Sequence, residues 1–140
     1  MDMEQEIRAA GADKAPRITP ADVEANIVSV RYFTAQDGVF GMSHRTGAAC
    51  MDSSRNPLNL LTFCVLVLRN GFAVTGESAC ASPENFNAEI GRRIARKNAV
   101  AKVWPLMGYE LRTELARTRL TEADAAADLA GTPRPDHPTV

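Results

Sequence analysis

The stretch Gly76-Glu77-Ser78-Ala79-Cys80 sets a hydroxyl and a thiol two residues apart, just ahead of Ser82-Pro83, which reads as a helix start. A serine raised on a strand-to-helix turn is how G-x-S-x-G hydrolases present their nucleophile to a base and an oxyanion hole. Two features argue against that chemistry. Cys80 replaces the final glycine, adding a side chain where close backbone approach is wanted, and the chain holds only two histidines, His44 and His137. His44 sits in a stretch without evident anchoring and His137 in the Pro-rich tail, so neither is an obvious base for Ser78. Cys80 falls on the expected core face of its strand, where a buried thiol is inert packing. No catalytic residue is expected; a hydrolase using Ser78 or Cys80 is the least favoured reading.

Other chemistry is equally sparse. No His and Cys stand at ligand spacing and the carboxylates are scattered, so no metal and no cofactor are expected. Asn70-Gly71 joins two apolar runs and does not open a helix, so it is not a phosphate loop. Glu89 and Arg93, four apart in the favourable order, read as a helix-surface ion pair. Charge distribution says more. Between Gly91 and Arg119 stand eight basic residues, Arg92, Arg93, Arg96, Lys97, Lys102, Arg112, Arg117 and Arg119, against Glu110 and Glu114. Such groups beside an apolar stripe serve first as snorkelling cover for core edges; the other reading is an anion site. The candidate ligand-binding set is Arg93, Arg96, Lys97 and Asn98.

These residues must be carried by a small α+β domain. Thr19-Pro20-Ala21-Asp22 combines an N-cap, an early proline and an acid in the first turn, predicting a helix over about 20–30. Arg31–Thr34 is expected as a short strand, with a turn at Gln36-Asp37-Gly38. Residues 41–57 have no period and read as a mobile loop. Leu60–Arg69 and Phe72–Cys80 flank Asn70-Gly71, a strong hairpin signal. A two-residue turn would pair Arg69 with Phe72. It would then put Leu61, Phe63, Val65, Val67, Phe72, Val74, Gly76, Ser78 and Cys80 on the core face. The opposite face, with Thr62, Cys64, Leu66 and Leu68, is itself too apolar for water and calls for a cover such as another strand or subunit. Cys64 and Cys80 then point to opposite faces and form no disulfide.

Ser82 is expected to cap a helix over about 83–104, with Phe86, Ile90, Ile94, Ala101 and Trp104 as its buried stripe. Pro105 must end or kink it, and a second helical stretch over about 105–118 carries Met107, Leu111 and Leu115. Residues 1–17 are expected to be a disordered arm, 18–120 the single domain, and 121–140 a weak helix and disordered tail.

The chain is 140 residues long with a net charge of −1, which suits one ordinary soluble domain. Three cysteines, an odd count without any C-x-x-C pair, suggest a reducing compartment. The charged opening is no signal peptide, and the apolar run Leu58–Leu68 is too short to span a bilayer.

Two resemblances follow. The block from Leu61 to Leu111 resembles the gp forty-nine-like family of small tailed-phage and prophage proteins. The marks are the Asn70-Gly71-Phe72 turn, Thr75-Gly76-Glu77-Ser78, Pro83-Glu84-Asn85-Phe86, Ile90-Gly91-Arg92, Ala95-Arg96-Lys97-Asn98-Ala99, Trp104 and Gly108-Tyr109, with Ala15–Pro20 upstream. This resemblance covers Thr19–Leu115 in outline. It implies phage origin and the host cytoplasm, and no assigned activity. Locally, Ala95–Lys102 is similar to the last helix of double-stranded-RNA-binding domains, though its basic cluster lies in mid-helix.

The expectation is therefore an α+β fold: an N-terminal helix, an antiparallel hairpin or small sheet, and a long kinked C-terminal helical segment packed on it. Its function is read as a non-enzymatic phage accessory protein that is homo-oligomeric. It would bind a host protein or an anionic small molecule, such as a nucleotide signal, without a membrane partner. Nucleic-acid binding through residues 92–102 is the alternative.

Overall fold

The computed structural model describes residues 2–47, 56–117 and 121–135. Helix α1 (Met3–Ala9) opens on a reciprocal cap between Asp2 and Gln5. Arg17 holds Glu4 through a two-pronged ion pair, so ordered structure stands where a disordered arm was expected. Thr19 caps α2 (Pro20–Asn26) as its sequence indicates. Its hydroxyl accepts from the Asp22 amide at 3.2 Å, and the Asp22 carboxylate accepts from the Thr19 amide at 2.9 Å. The pair satisfies two donors that a helix start leaves open.

Helix α2 is shorter than the expected 20–30. At Ile27 the chain turns into β1 (Ile27–Thr34), where β-branched Ile27, Val28 and Val30 suit a strand better than a helix. Thr34 and Asp37 then form a second reciprocal cap, which opens α3 (Ala35–Thr46). The expected turn at Gln36-Asp37-Gly38 is thus the first turn of a helix. Residues 41–46 of the expected mobile loop are helical, residues 48–55 lie outside the described residues, and Pro57–Leu60 forms a short 3-10 turn.

Strands β2 (Leu61–Leu68) and β3 (Ala73–Ala79) complete an antiparallel sheet of order β1-β2-β3. The hairpin loop holds three residues. Leu68 faces Phe72, whose carbonyl accepts from the Leu68 amide, and Gly71 takes a φ of 87° with its amide on the Leu68 carbonyl. Asn70 locks the turn by accepting from the Phe72 amide at 2.9 Å. This is a tight turn followed by a left-handed glycine, the next commonest hairpin after the two-residue form. The single extra residue moves the register by one, pairing Cys64 with Gly76 and Leu66 with Val74.

A one-residue slip exchanges the two faces of a strand. The face of β2 that is buried is therefore Thr62, Cys64, Leu66 and Leu68, not Leu61, Phe63, Val65 and Val67. On β3 the expected core positions Val74 and Gly76 are buried. Cys64 and Cys80 now share a face, yet both are free thiols. Cys64 pairs with Gly76 while Cys80 lies level with Leu60, four residues and about 13 Å further along the strand.

Helix α4 (Ala88–Arg117) crosses this face as one continuous helix of 30 residues, with Pro105 inside it. Pro105 removes the bond to the Ala101 carbonyl, but both residues are exposed, so water can take that acceptor. Ser82 does not cap α4. A 3-10 turn at Pro83–Asn85 intervenes, the Ser82 hydroxyl bonds Glu84, and Asn87 accepts from the Ile90 amide at 3.0 Å. The buried stripe is also turned by one residue from expectation: Gly91, Ala95, Ala99 and Val103 are buried, while Ile90 and Ile94 are exposed. Val23 of α2 joins Cys64, Leu66, Leu68, Val74, Ala95, Ala99 and Val103 in the core, with Val100, Trp104 and Met107 packed at its edge.

Helix α5 (Glu122–Ala130) starts on a Thr121–Asp124 cap and ends at Gly131. The fold is α+β, with a long C-terminal helix laid on a small antiparallel sheet. Among the described residues, no helix is long and apolar enough to cross a membrane.

Candidate functional site

Small residues decide how α4 sits. Gly76 in β3 faces the helix so closely that a methyl group there would overlap the Ala95 carbonyl oxygen and the Ala99 amide, and stand 2.8 Å from Ala99 Cα. Gly91 rests on Thr62 in the same way, with 3.1 Å left between Thr62 Oγ1 and the place of a side chain. With Gly91, Ala95 and Ala99 pressed on the sheet, the polar residues of the helix divide into three directions. Arg96 leans towards α2, where its guanidinium meets Glu24 at 2.8 Å. Asn98 leans towards β3, donating to the Glu77 carbonyl at 2.8 Å, and Lys102 lies 3.8 Å from the Glu77 carboxylate. Arg93 and Lys97, one turn apart, face outward; Arg93 pairs with Glu89 at 3.3 Å, as their spacing indicates.

The four residues singled out from sequence thus share one half of one helix but not one point in space. Two of them bind other elements of the fold, and Arg93 is held by its own helix. The groups that gather beside Arg96 are different ones. Tyr32, on the helix-facing side of β1, is level with Cys64. Burial pushes the Tyr32 hydroxyl above its ordinary range and the nearby thiol adds to this, while Arg96 and Arg92 pull it back. Burial likewise pushes Cys64 up, against the pull of Arg96. The Arg96 side chain is 38% exposed, yet its Nε is buried and meets no acceptor. Sequence reading missed Tyr32 here and named Arg92 only within the basic segment 92–102. The signal was available only with the register known, because Tyr32 lies on the helix side only when β1 pairs as it does.

The residues that raised the question of catalysis are placed as follows. Ser78 is half-buried on β3, level with Thr62. His44 lies on α3 with its ring edge against Phe40, centroids 4.6 Å apart. Cys80 is half-exposed past the end of β3, its thiol donating to the Ser82 carbonyl at 3.2 Å, so it is not the buried core thiol expected. Cys64 is the buried one, and its raised pKa keeps it a thiol at neutral pH, a poor nucleophile. No group of His, Cys, Asp and Glu able to hold a metal gathers among the described residues.

A groove of about 810 Å³ lies between α2, the hairpin loop and the second half of α4. Its wall includes Phe72, Leu106 and Tyr109, and its charges are mixed: Asp22, Glu110 and Glu114 oppose Arg69 and Arg117. It offers an anion no clear preference.

No curated protein and no solved structure matches the chain. The model of one protein family does, over residues 18–115, from the approach to α2 to the last turns of α4. This span holds the whole sheet, the Gly76 contact and every basic residue of the candidate site. The chain belongs to the phage protein (N4 Gp49/phage Sf6 gene 66) family.

Proposed function

We propose that this phage protein acts by binding rather than by turnover, and that what it captures is an anionic, phosphate-bearing small molecule such as a host nucleotide signal. The observation that carries the reading is the Arg96 guanidinium. One nitrogen is engaged by Glu24 while Nε is buried without an acceptor, and Arg92 and the Tyr32 hydroxyl lie near. The exposed part of the guanidinium, only one nitrogen of which is engaged by Glu24, is where an anion would bind, and guanidinium–phosphate contacts are among the stronger hydrogen bonds. Lys97 adds positive charge on the same half-helix, and the exposed Arg93–Glu89 pair can be exchanged at little cost. Host cytoplasm is the compartment in which such a ligand would be met.

Isothermal titration against a panel of cyclic and linear nucleotides tests this. The expected outcome is stoichiometric binding with the nucleotide recovered intact. Arg96→Ala should weaken it at least tenfold, and Arg93→Glu with Lys97→Glu should weaken it further. Intact affinity in both variants would remove the site. Nucleic-acid binding through the same helix is the competing reading. It requires affinity that falls steeply with salt and grows with strand length, which a fluorescence titration with duplex and single-stranded oligonucleotides separates.

A further inference from the structure

Helices α2 and α4 both pack on the side of the sheet that carries Cys64 and Leu66. On the other side, Leu61, Phe63, Val65 and Val67 keep partial exposure along the whole of β2. Their strand neighbours Arg31, Phe33, Ala73, Thr75 and Glu77 are exposed. Register places them together: Arg31 is level with Val65 and Thr75, and Phe33 with Phe63 and Glu77. Phe33 and Phe63 stack at 5.4 Å between centroids. A continuous apolar row on a central strand is a surface built to be covered.

We propose that a second copy of this chain covers it, forming a twofold sheet-on-sheet dimer. The charges identify the occupant. The open face carries Arg31 on its β1 edge and Glu77 on its β3 edge, with the apolar row between. A twofold axis running parallel to the strands lays β2 on β2 and sets β1 over the β3 of the second copy. Arg31 then faces Glu77 of the other chain, twice over. The two rows differ by one pleat, about 7 Å along the strand, and packed sheets stand about 10 Å apart. Two long side chains span that distance. An axis running across the strands would instead set β1 over β1 and bring the two Arg31 edges together, which is repulsive. A face with opposite charges on opposite edges is complementary to itself.

The area sets the strength. Three strands of about eight residues make a face of roughly 25 by 14 Å, and a standard interface buries roughly 800 Å² on each partner. At about 350 Å² the face is less than half of that, so the dimer is weak and dissociates on dilution. The inference does not rest on the anion site, because Tyr32 and the core-facing contacts of α4 lie on the opposite side of the sheet.

Sedimentation velocity of the full chain over a range of concentrations tests it, with native mass spectrometry of mixtures. The wild-type chain should show a monomer–dimer equilibrium. Arg31→Glu alone and Glu77→Arg alone should each weaken it at least tenfold. One variant then presents two acids and the other two bases, so an equal mixture should form heterodimers more tightly than either variant pairs with itself. Glu77 sits 3.8 Å from Lys102, both half-exposed, so these changes cost the monomer little. Val65→Lys, on the same face, should keep the wild-type circular dichroism and remove the dimer. A wild-type chain that stays monomeric at every concentration would overturn the proposal. So would self-association indifferent to Val65→Lys, or a mixture no tighter than its parts.

Discussion

On one side of β2, Thr62, Cys64, Leu66 and Leu68 are buried; on the other, Leu61, Phe63, Val65 and Val67 stay half-exposed. The two sets are similarly apolar, and hydrophobicity does not choose between them. What chooses is the partner surface on the next strand. Gly76 lies beside Cys64 and Val74 beside Leu66, and only the side with Gly76 lets a helix backbone come close. Gly76 meets the backbone of Ala95 and Ala99 on α4 and Thr62 meets Gly91, so small residues on both surfaces bring helix and sheet into dense packing. The open side has no such recess, so it suits a flat partner: a second sheet, not a helix.

The strongest way to break this contrast is to fill the recess. Gly76→Val pushes side-chain atoms into the backbone of Ala95 and Ala99, which cannot rotate away as a side chain could. Overpacking of this kind costs about 3 kcal/mol or more. Urea denaturation should show that loss, or no folded protein at all. A Gly76→Val chain as stable as the wild type would mean that α4 does not sit where it is described.

A matched pair of truncations sharpens the contrast between the faces. Leu66 is fully buried and Val65, its neighbour, is not. Leu66→Ala should cost about 3 kcal/mol through lost burial and the cavity left behind. Val65→Ala, measured in dilute solution, should cost about 1 kcal/mol or less. Equal effects would mean that both faces are covered within one chain.

The same face choice shows where sequence reading succeeds and fails. The hairpin, the Thr19 cap and the long basic helical segment were legible, because each rests on local chemistry. The register was not, since Asn70-Gly71 serves both two- and three-residue loops and the backbone decides between them. That single residue reversed the β2 core. The helix stripe failed for a related reason: Ile90 and Ile94 outrank Gly91 and Ala95 in hydrophobicity, but close approach rewards the small pair. The α3 cap was legible in principle, since Thr34-x-x-Asp37 repeats the Thr19-x-x-Asp22 pattern that was read as a helix start. The candidate site was half legible. Its basic residues are in the sequence, whereas the meeting of Tyr32 with Arg92 and Arg96 depends on strand pairing.

The smallest expected effect concerns α2, which supplies Val23 to the covered face and Glu24 to Arg96. Asp22 has its carboxyl pKa lowered from 3.8, first by the Thr19 amide and then by the Thr19 hydroxyl. A carboxylate held below its unfolded value stabilises the fold fully above that value and ceases to do so as pH falls through the lower, folded one. Stability should therefore be flat through neutral pH and begin to fall below about pH 4, as protonation removes the charge that strengthens the hydrogen bond from the Thr19 amide. Asp22→Asn keeps an oxygen for the Thr19 amide but has no charge to lose, so its acid limb should be shallower than that of the wild type. Because the group is on the surface, the difference is small, and parallel melting curves between pH 3 and pH 5 are the measurement that resolves it. Superimposable curves would assign the acid sensitivity to another carboxylate. Glu4, lowered by its hydrogen bond to Arg17, is the next to replace, and it belongs to α1, outside the span that the family shares.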